Sequence, residues 1–177
     1  MSRNTATSMG DHVADFVDGQ MRAGRDGTAS DVIRAGLRLL EECEAAMQSL
    51  REAIDAGERS GPSVAFDFEA FLAGKRRRGV TRVLLTPAAQ ADLEAIWDDT
   101  EGHGGQRQAE RYVAAIGDGC SLLAARDYPD WDASDVRPDS RKAVVGSQIL
   151  YFLRRADGAP EVIRILHQRM DVDRHLI

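Results

Sequence analysis

Apolar residues recur at helical spacing through the first sixty positions of the chain. Val13, Phe16, Val17 and Met21 fall three and four apart, which predicts a helix opening at Gly10–Asp11 and stopping in Ala23–Gly24–Arg25–Asp26–Gly27. Thr28–Ala29–Ser30–Asp31 has the form of a capping box and opens a second helix. Its stripe is long and narrow: Ile33, Gly36, Leu37, Leu40, Cys43, Met47, Leu50 and Ile54, a seven-residue periodicity that asks for another helix beside it. Ahead of both helices, Arg3 to Met9 sets Thr5, Thr7 and Met9 against Asn4, Ala6 and Ser8, the alternation of a strand with two different faces. One short strand and two amphipathic helices are too little to build a core alone. Dimerisation, with the strand pairing across a two-fold axis, is the expected remedy.

The pattern changes after Gly57. Ser60–Gly61–Pro62–Ser63 has linker composition, and Val64–Ala65–Phe66–Asp67–Phe68–Glu69–Ala70–Phe71–Leu72 then puts three of the chain's five phenylalanines within six residues. This segment is too short for a core of its own. It is either a short helix folded back on the first region or a docking segment laying aromatic anchors into a groove. Lys75–Arg76–Arg77–Arg78–Gly79 follows as a basic linker.

Beyond it, Thr81 to Leu85 reads as a strand, and Thr86–Pro87 supplies N-cap and first helical residue. Ala89, Leu93, Ile96 and Trp97 mark a buried helix face that Gly102–His103–Gly104–Gly105 closes. Ala109, Tyr112, Val113, Ile116, Cys120 and Leu123 mark the next, so the two form an αα-hairpin. An irregular acidic stretch from Asp127 to Asp139 leads to strands at Ala143–Val145 and Gln148–Arg154, separated by the two-residue turn Gly146–Ser147. Asp157–Gly158 turns the chain into a last strand, Glu161–His167. The runs ILYFL and VIRIL are apolar without alternation, which predicts a sheet covered on both faces. The expected architecture is a mainly α N-terminal region and an α+β C-terminal one, the helical hairpin lying on an antiparallel sheet.

Composition narrows the function. The 177 residues are 43% hydrophobic and 29% charged, with a net charge of −6, which excludes wholesale coating of nucleic acid but leaves room for a local reading surface. No apolar run is long enough for a membrane helix, and the N-terminus lacks the apolar core of a secretory signal, so a cytoplasmic protein is expected. Cys43 and Cys120 stand far apart, and His12, His103 and His175 have no evident ligand partners, so neither a metal site nor a cofactor is expected.

NTATSMGDH, RAGRDGTASDVIRAGLRLLEE and GPSVAFDFEAFLAGKR resemble a ParD antitoxin of the ribbon-helix-helix type. LTPAAQADLEAIWDDT, QAERYV, DVRP and above all EVIRILHQRMDVDRHL resemble a ParE toxin of the RelE/ParE superfamily. The two resemblances together span nearly the whole chain and imply a fusion of antitoxin and toxin. They divide it into a ribbon-helix-helix domain at 1–57, a toxin-docking segment and basic linker at 58–79, and a toxin domain at 80–177.

The first resemblance implies a homodimer bound to operator DNA through a ribbon in the major groove. Asn4, Ala6 and Ser8 would then face the bases, with Arg3 near a phosphate. The amides of Thr28 and Ser30 at a helix start would hold another phosphate. It also implies that Val64, Phe66, Phe68, Phe71 and Leu72 wrap and neutralise the toxin. The second resemblance implies inhibition of DNA gyrase rather than catalysis. RelE-like relatives cut mRNA, but no acid/base constellation of the kind RNA cleavage needs emerges here. His167, Gln168 and Arg169 are the expected toxin-side residues, with Arg141 and Arg154 as further basic contacts. Ala143 and Val144 stand where the toxin family commonly has an aromatic and another arginine. That departure keeps an alternative open, a DNA-binding repressor whose non-toxic second half is scaffold.

Overall fold

A computed structural model describes residues 10–23, 28–73 and 83–170. The expected ribbon strand, the basic linker and the DVDRHL segment lie outside the described residues. Among the described residues the elements follow in order: α1 (Asp11–Arg22), α2 (Ala29–Arg59), β1 (Val64–Phe66), α3 (Phe68–Ala73), β2 (Val83–Leu85), α4 (Pro87–Gly104), α5 (Gln106–Ala125), β3 (Trp131–Asp132), β4 (Ser140–Val145), β5 (Gln148–Arg154), β6 (Pro160–His167) and a 3-10 turn (Gln168–Met170). The chain divides into two compact units, Met1–Ala45 and Ala46–Ile177, and the division falls inside α2.

In the first unit Thr28 and Asp31 bond each other at the start of α2. The Asp31 amide donates to Thr28 Oγ1 at 3.2 Å, and the Thr28 hydroxyl donates to the Asp31 carboxylate at 2.6 Å. Val17 and Val32 are buried, whereas Val13, Phe16, Ile33, Leu37 and Leu40 are exposed. This is far more large apolar surface than two helices ordinarily show to water.

The second unit is a six-stranded mixed sheet in the order β1-β2-β6-β5-β4-β3. Neighbours are antiparallel except β2 and β6, which run parallel. Helices α4 and α5 form the expected hairpin. Thr86 caps α4 by accepting from the Ala89 amide, with Pro87 at the first helical position. Gly146, at φ +61°, makes the turn between β4 and β5. The hairpin covers one face of the sheet, where Leu85, Leu93, Val113, Ile116, Leu123, Leu150 and Phe152 form the core. Along β5, Ile149 and Tyr151 alternate with Leu150 and Phe152 and therefore point to the other face. They are buried there too, as is Ile163 on β6.

Beta2 pairs with β6 only as far as Val162, and α4 then continues along that edge. The Thr86 amide donates to the Val162 carbonyl, the Thr86 hydroxyl to the Ile163 carbonyl, and the Ile165 amide to Asp92. The backbone groups that β2 leaves unpaired are satisfied by the first turns of a helix, so the short strand costs nothing in hydrogen bonds.

Candidate functional site

Residues 46–73 lie on the 83–170 part of the second unit along three surfaces. The first is the sheet edge. Beta1 adds antiparallel to β2 with Val64 opposite Leu85, Ala65 opposite Leu84 and Phe66 opposite Val83. Strand addition of this kind fixes register through the backbone while alternate side chains find pockets.

The second surface is helix α5 with the middle of α4. Phe66 meets Phe68 edge-on at 5.0 Å and Phe71 at 5.5 Å, and Phe71 meets Trp97 edge-on at 6.2 Å. Phe68 is part of the main core. A side chain at Gly117 of α5 would come within 2.9 Å of the Phe68 ring, so the glycine makes its seat. Phe71 and Leu72 pack against the same core, whereas the Val64 side chain is exposed and that residue contributes through its backbone.

The third surface is the sheet face away from the helical hairpin, where the last turns of α2 lie. A Cβ at Gly57 would sit 2.6 Å from the Ile163 carbonyl oxygen, so only glycine permits this approach of helix to strand. Ile54 and Leu50, one and two turns earlier, are completely buried. Arg164 donates to both oxygens of Asp92, at 2.7 and 2.8 Å, and extends its remaining nitrogen to the Ala53 carbonyl of α2 at 2.9 Å. Glu58 pairs with Arg137 at 2.7 Å, and the Arg51 guanidinium donates to the Asp135 carbonyl at 2.8 Å. In the connection to β1, Ser60 accepts from the Ala88 amide at 3.0 Å and Ser63 donates to Glu161 at 2.5 Å.

Sequence reasoning placed Leu50 and Ile54 on a stripe for another helix. They face a sheet instead, because periodicity shows that a helix face is buried and not what buries it. Gly57, Asp92 and Arg164 were not singled out as site residues. Glycine inside an otherwise helical pattern was the available signal for the first; nothing local distinguishes the other two.

The five residues expected to carry toxin-side function fall into two separate groups. Arg141 and Arg154 both pair with Asp130: Arg141 through Nε at 2.8 Å and through Nη2, Arg154 through Nη2 at 2.5 Å. Burial alone would raise the Asp130 carboxyl, but hydrogen bonds and charge from the two arginines outweigh it and hold it below the usual carboxylate range. The Arg141 guanidinium is raised in turn, chiefly by its hydrogen bond to Asp130. His167, Gln168 and Arg169 sit at the other end of the sheet. His167 is opposite Gln148 at the start of β5, whereas Arg154 is the last residue of that strand. Six residues of strand separate the groups by about 20 Å.

His167 and Arg169 are exposed; the Arg169 amide donates to His167 Nδ1 at 3.1 Å, and the Gln168 amide to the Ser147 carbonyl at 2.9 Å. Tyr112 bonds Ser147 at 2.6 Å and Tyr151 is buried, and burial pushes the Cys120 thiol up to about 12. Among the expected DNA-contacting residues, Thr28 and Ser30 open α2, while Arg3, Asn4, Ala6 and Ser8 lie outside the described residues. No group of three potential metal ligands occurs among the described residues, and none of their helices is long and apolar enough to cross a membrane.

Comparison with known proteins matches successive parts of the chain to two families. Residues 1–81 match the family described as a bacterial antitoxin of the ParD type II toxin–antitoxin system with a ribbon-helix-helix, and residues 83–172 match the ParE toxin of the type II parDE system. Antitoxin ParD1 of Mycobacterium tuberculosis is 51% identical over 76 residues, which are 43% of this chain and 92% of that protein. Toxin ParE1 of the same organism is 43% identical over 96 residues, 54% of this chain and 98% of the toxin. A ParE toxin of Escherichia coli is 37% identical over 93 residues, 52% of this chain and 90% of its own.

Three substitutions test these contacts. Gly57→Ala is expected to lower unfolding stability by about 1–3 kcal/mol despite alanine's better helix propensity, because its methyl meets backbone. Gly102→Ala, at an exposed position of α4 with nothing within 4 Å of the added methyl, is expected to hold or raise stability in the same denaturation series. Asp130→Asn is expected to lower stability at neutral pH. A depressed carboxyl contributes above its unfolded pKa, about 3.9, and that contribution is lost as pH falls through the lower folded value. The variant's stability should therefore decline less than the parent's below about pH 4, as read by urea unfolding at stepped pH.

Proposed function

The chain belongs to the ParD antitoxin family through residues 1–81 and to the ParE toxin family through residues 83–172, and we propose on that premise that it is a self-neutralised repressor carrying a latent gyrase inhibitor. The observation that carries this reading is the seating of residues 46–73 on the toxin half, along the β2 edge, the α5 surface and the sheet face opposite the hairpin. Burying Leu50, Ile54 and Phe68 contributes about 1.5–3 kcal/mol each before ordering costs, enough to hold a toxin closed.

On this reading the N-terminal region dimerises through the exposed apolar residues of α1 and α2, Val13, Phe16, Ile33, Leu37 and Leu40 among them. The two Arg3–Met9 segments pair into a ribbon that enters the major groove of operator DNA, with Asn4 and Ser8 bonding base edges, Ala6 giving a methyl contact and Arg3 a phosphate. The protein thereby represses its own synthesis. His167, Gln168 and Arg169 form the toxin's target contact, and the toxin half inhibits rather than catalyses.

One observation favours a second reading, a repressor whose toxin half is scaffold. Asp130 occupies both Arg141 and Arg154, and Ala143 is wholly buried in the core, so this end of the sheet offers a target little free positive charge.

Colony survival separates the two. Induction of residues 80–177 alone should kill where the intact chain does not; survival with soluble fragment present would overturn the inhibitor reading and leave the repressor. Operator binding belongs to both. A specific complex that weakens steeply with salt is expected, and Asn4→Ala/Ser8→Ala should abolish its specificity. Unchanged binding by that variant would refute the ribbon assignment.

A further inference from the structure

In the dimer proposed above, a docking segment has two candidate seats, the sheet of its own chain and that of its partner. We propose that docking is closed within each polypeptide. Beta1 of a chain pairs with β2 of that chain alone, so each copy is a complete inhibited unit. It neither takes up a docking segment in trans nor lends its own to a separately made toxin of the same family. The proposal rests on the reading of residues 46–73 as the neutralising segment.

The chain is long enough to close on its own sheet. Phe66 and Val83 are direct partners across the β1–β2 ladder. The six-residue α3 that begins two positions after Phe66 is only about 9 Å long, so Ala73 lies within about 20 Å of Val83. The link between them has about ten residues and an extended reach of about 35 Å. A reach longer than the gap removes the strain that favours exchange between copies.

The segment is also held on several surfaces at once. Ala53 is fixed on Arg164, Glu58 on Arg137, Ser63 on Glu161, β1 on β2, and Phe68 over Gly117. A competing segment must displace all of these together, because they follow one another along the continuous chain from Ala53 to Phe68. The tether sets the local concentration of the docking segment near ~1 mM, so a free competitor at about 1 μM is disfavoured roughly a thousandfold. The fixed one-to-one ratio of the two halves therefore holds at the level of each molecule, and a cell's separate antitoxins and toxins of this family do not cross-react with it.

The β1–β2 register supplies the test in the full-length chain. Ala65 and Leu84 are partners, their side chains outside the fully buried core, at the Cα spacing a disulfide accepts. In a Cys43→Ser background, Ala65→Cys/Leu84→Cys should oxidise to a reducible cross-link that migrates at monomer size. Co-expressed single variants, Ala65→Cys in one copy and Leu84→Cys in the other, should give no covalent dimer above the level of either alone. Ala65→Cys/Asp132→Cys, at opposite edges of the sheet, is the control that should not close. A disulfide-linked dimer from the mixed single variants would overturn closure within the chain while leaving neutralisation intact. Free thiols at both positions after oxidation of the double variant would mean that β1 is not seated, and would overturn the neutralising reading as well.

Discussion

The sheet of the C-terminal half has two apolar faces and one pair of its own helices. Helices α4 and α5 cover the face bearing Leu150, Phe152 and Val162. The other bears Ile149, Tyr151 and Ile163, and the last turns of α2 lie there, from the antitoxin side of the linker. Those residues would otherwise form a contiguous apolar patch of the kind soluble proteins rarely show to water. The demand that this second face be covered fixes much of the remaining structure. It sets a glycine at Gly57, where helix and strand approach most closely, and places Leu50 and Ile54 in a core to which the toxin sequence contributes the other side.

Directionality comes from polar groups, since apolar contact alone tolerates sliding. Arg164 is held by both oxygens of Asp92, and that fixed guanidinium reads the Ala53 carbonyl of α2. A planar donor gripped bidentately loses little further entropy on making a third bond, so it acts as a register mark more than as a source of affinity. The short β1–β2 ladder does the same at the sheet edge. Between these marks, the phenylalanines of α3 and the preceding strand fill the space beside Trp97 and Gly117.

The same economy of charge bears on the toxin side. One carboxylate, Asp130, takes up two arginines at the β3 end of the sheet, while His167 and Arg169 remain exposed about 20 Å away at the β4–β5 turn. A target contact through His167, Gln168 and Arg169 is thus physically independent of the arginine pair. The arginines' local role is to hold β4, β5 and the acidic loop together.

The sequence by itself determined the local elements and the family. The three- and four-residue spacing of apolar positions is enough for the helices, Thr28–Asp31 and Thr86–Pro87 for where two of them start, and Gly146 for a left-handed turn, because each depends on neighbours a few residues away. The non-alternating runs in β5 and β6 likewise announced a sheet buried on both sides. Tertiary structure alone decided what lies against each buried face. One stripe on α2 is exposed at Ile33, Leu37 and Leu40 and sealed at Leu50 and Ile54, although its periodicity is the same throughout. Nothing local shows that Asp130 takes both arginines, that Arg164 reaches α2 from more than a hundred residues away, or that β1 chooses the β2 edge over the first region. Periodicity reports that a surface is to be buried; the identity of its partner is a property of long-range packing, which no window of the chain contains.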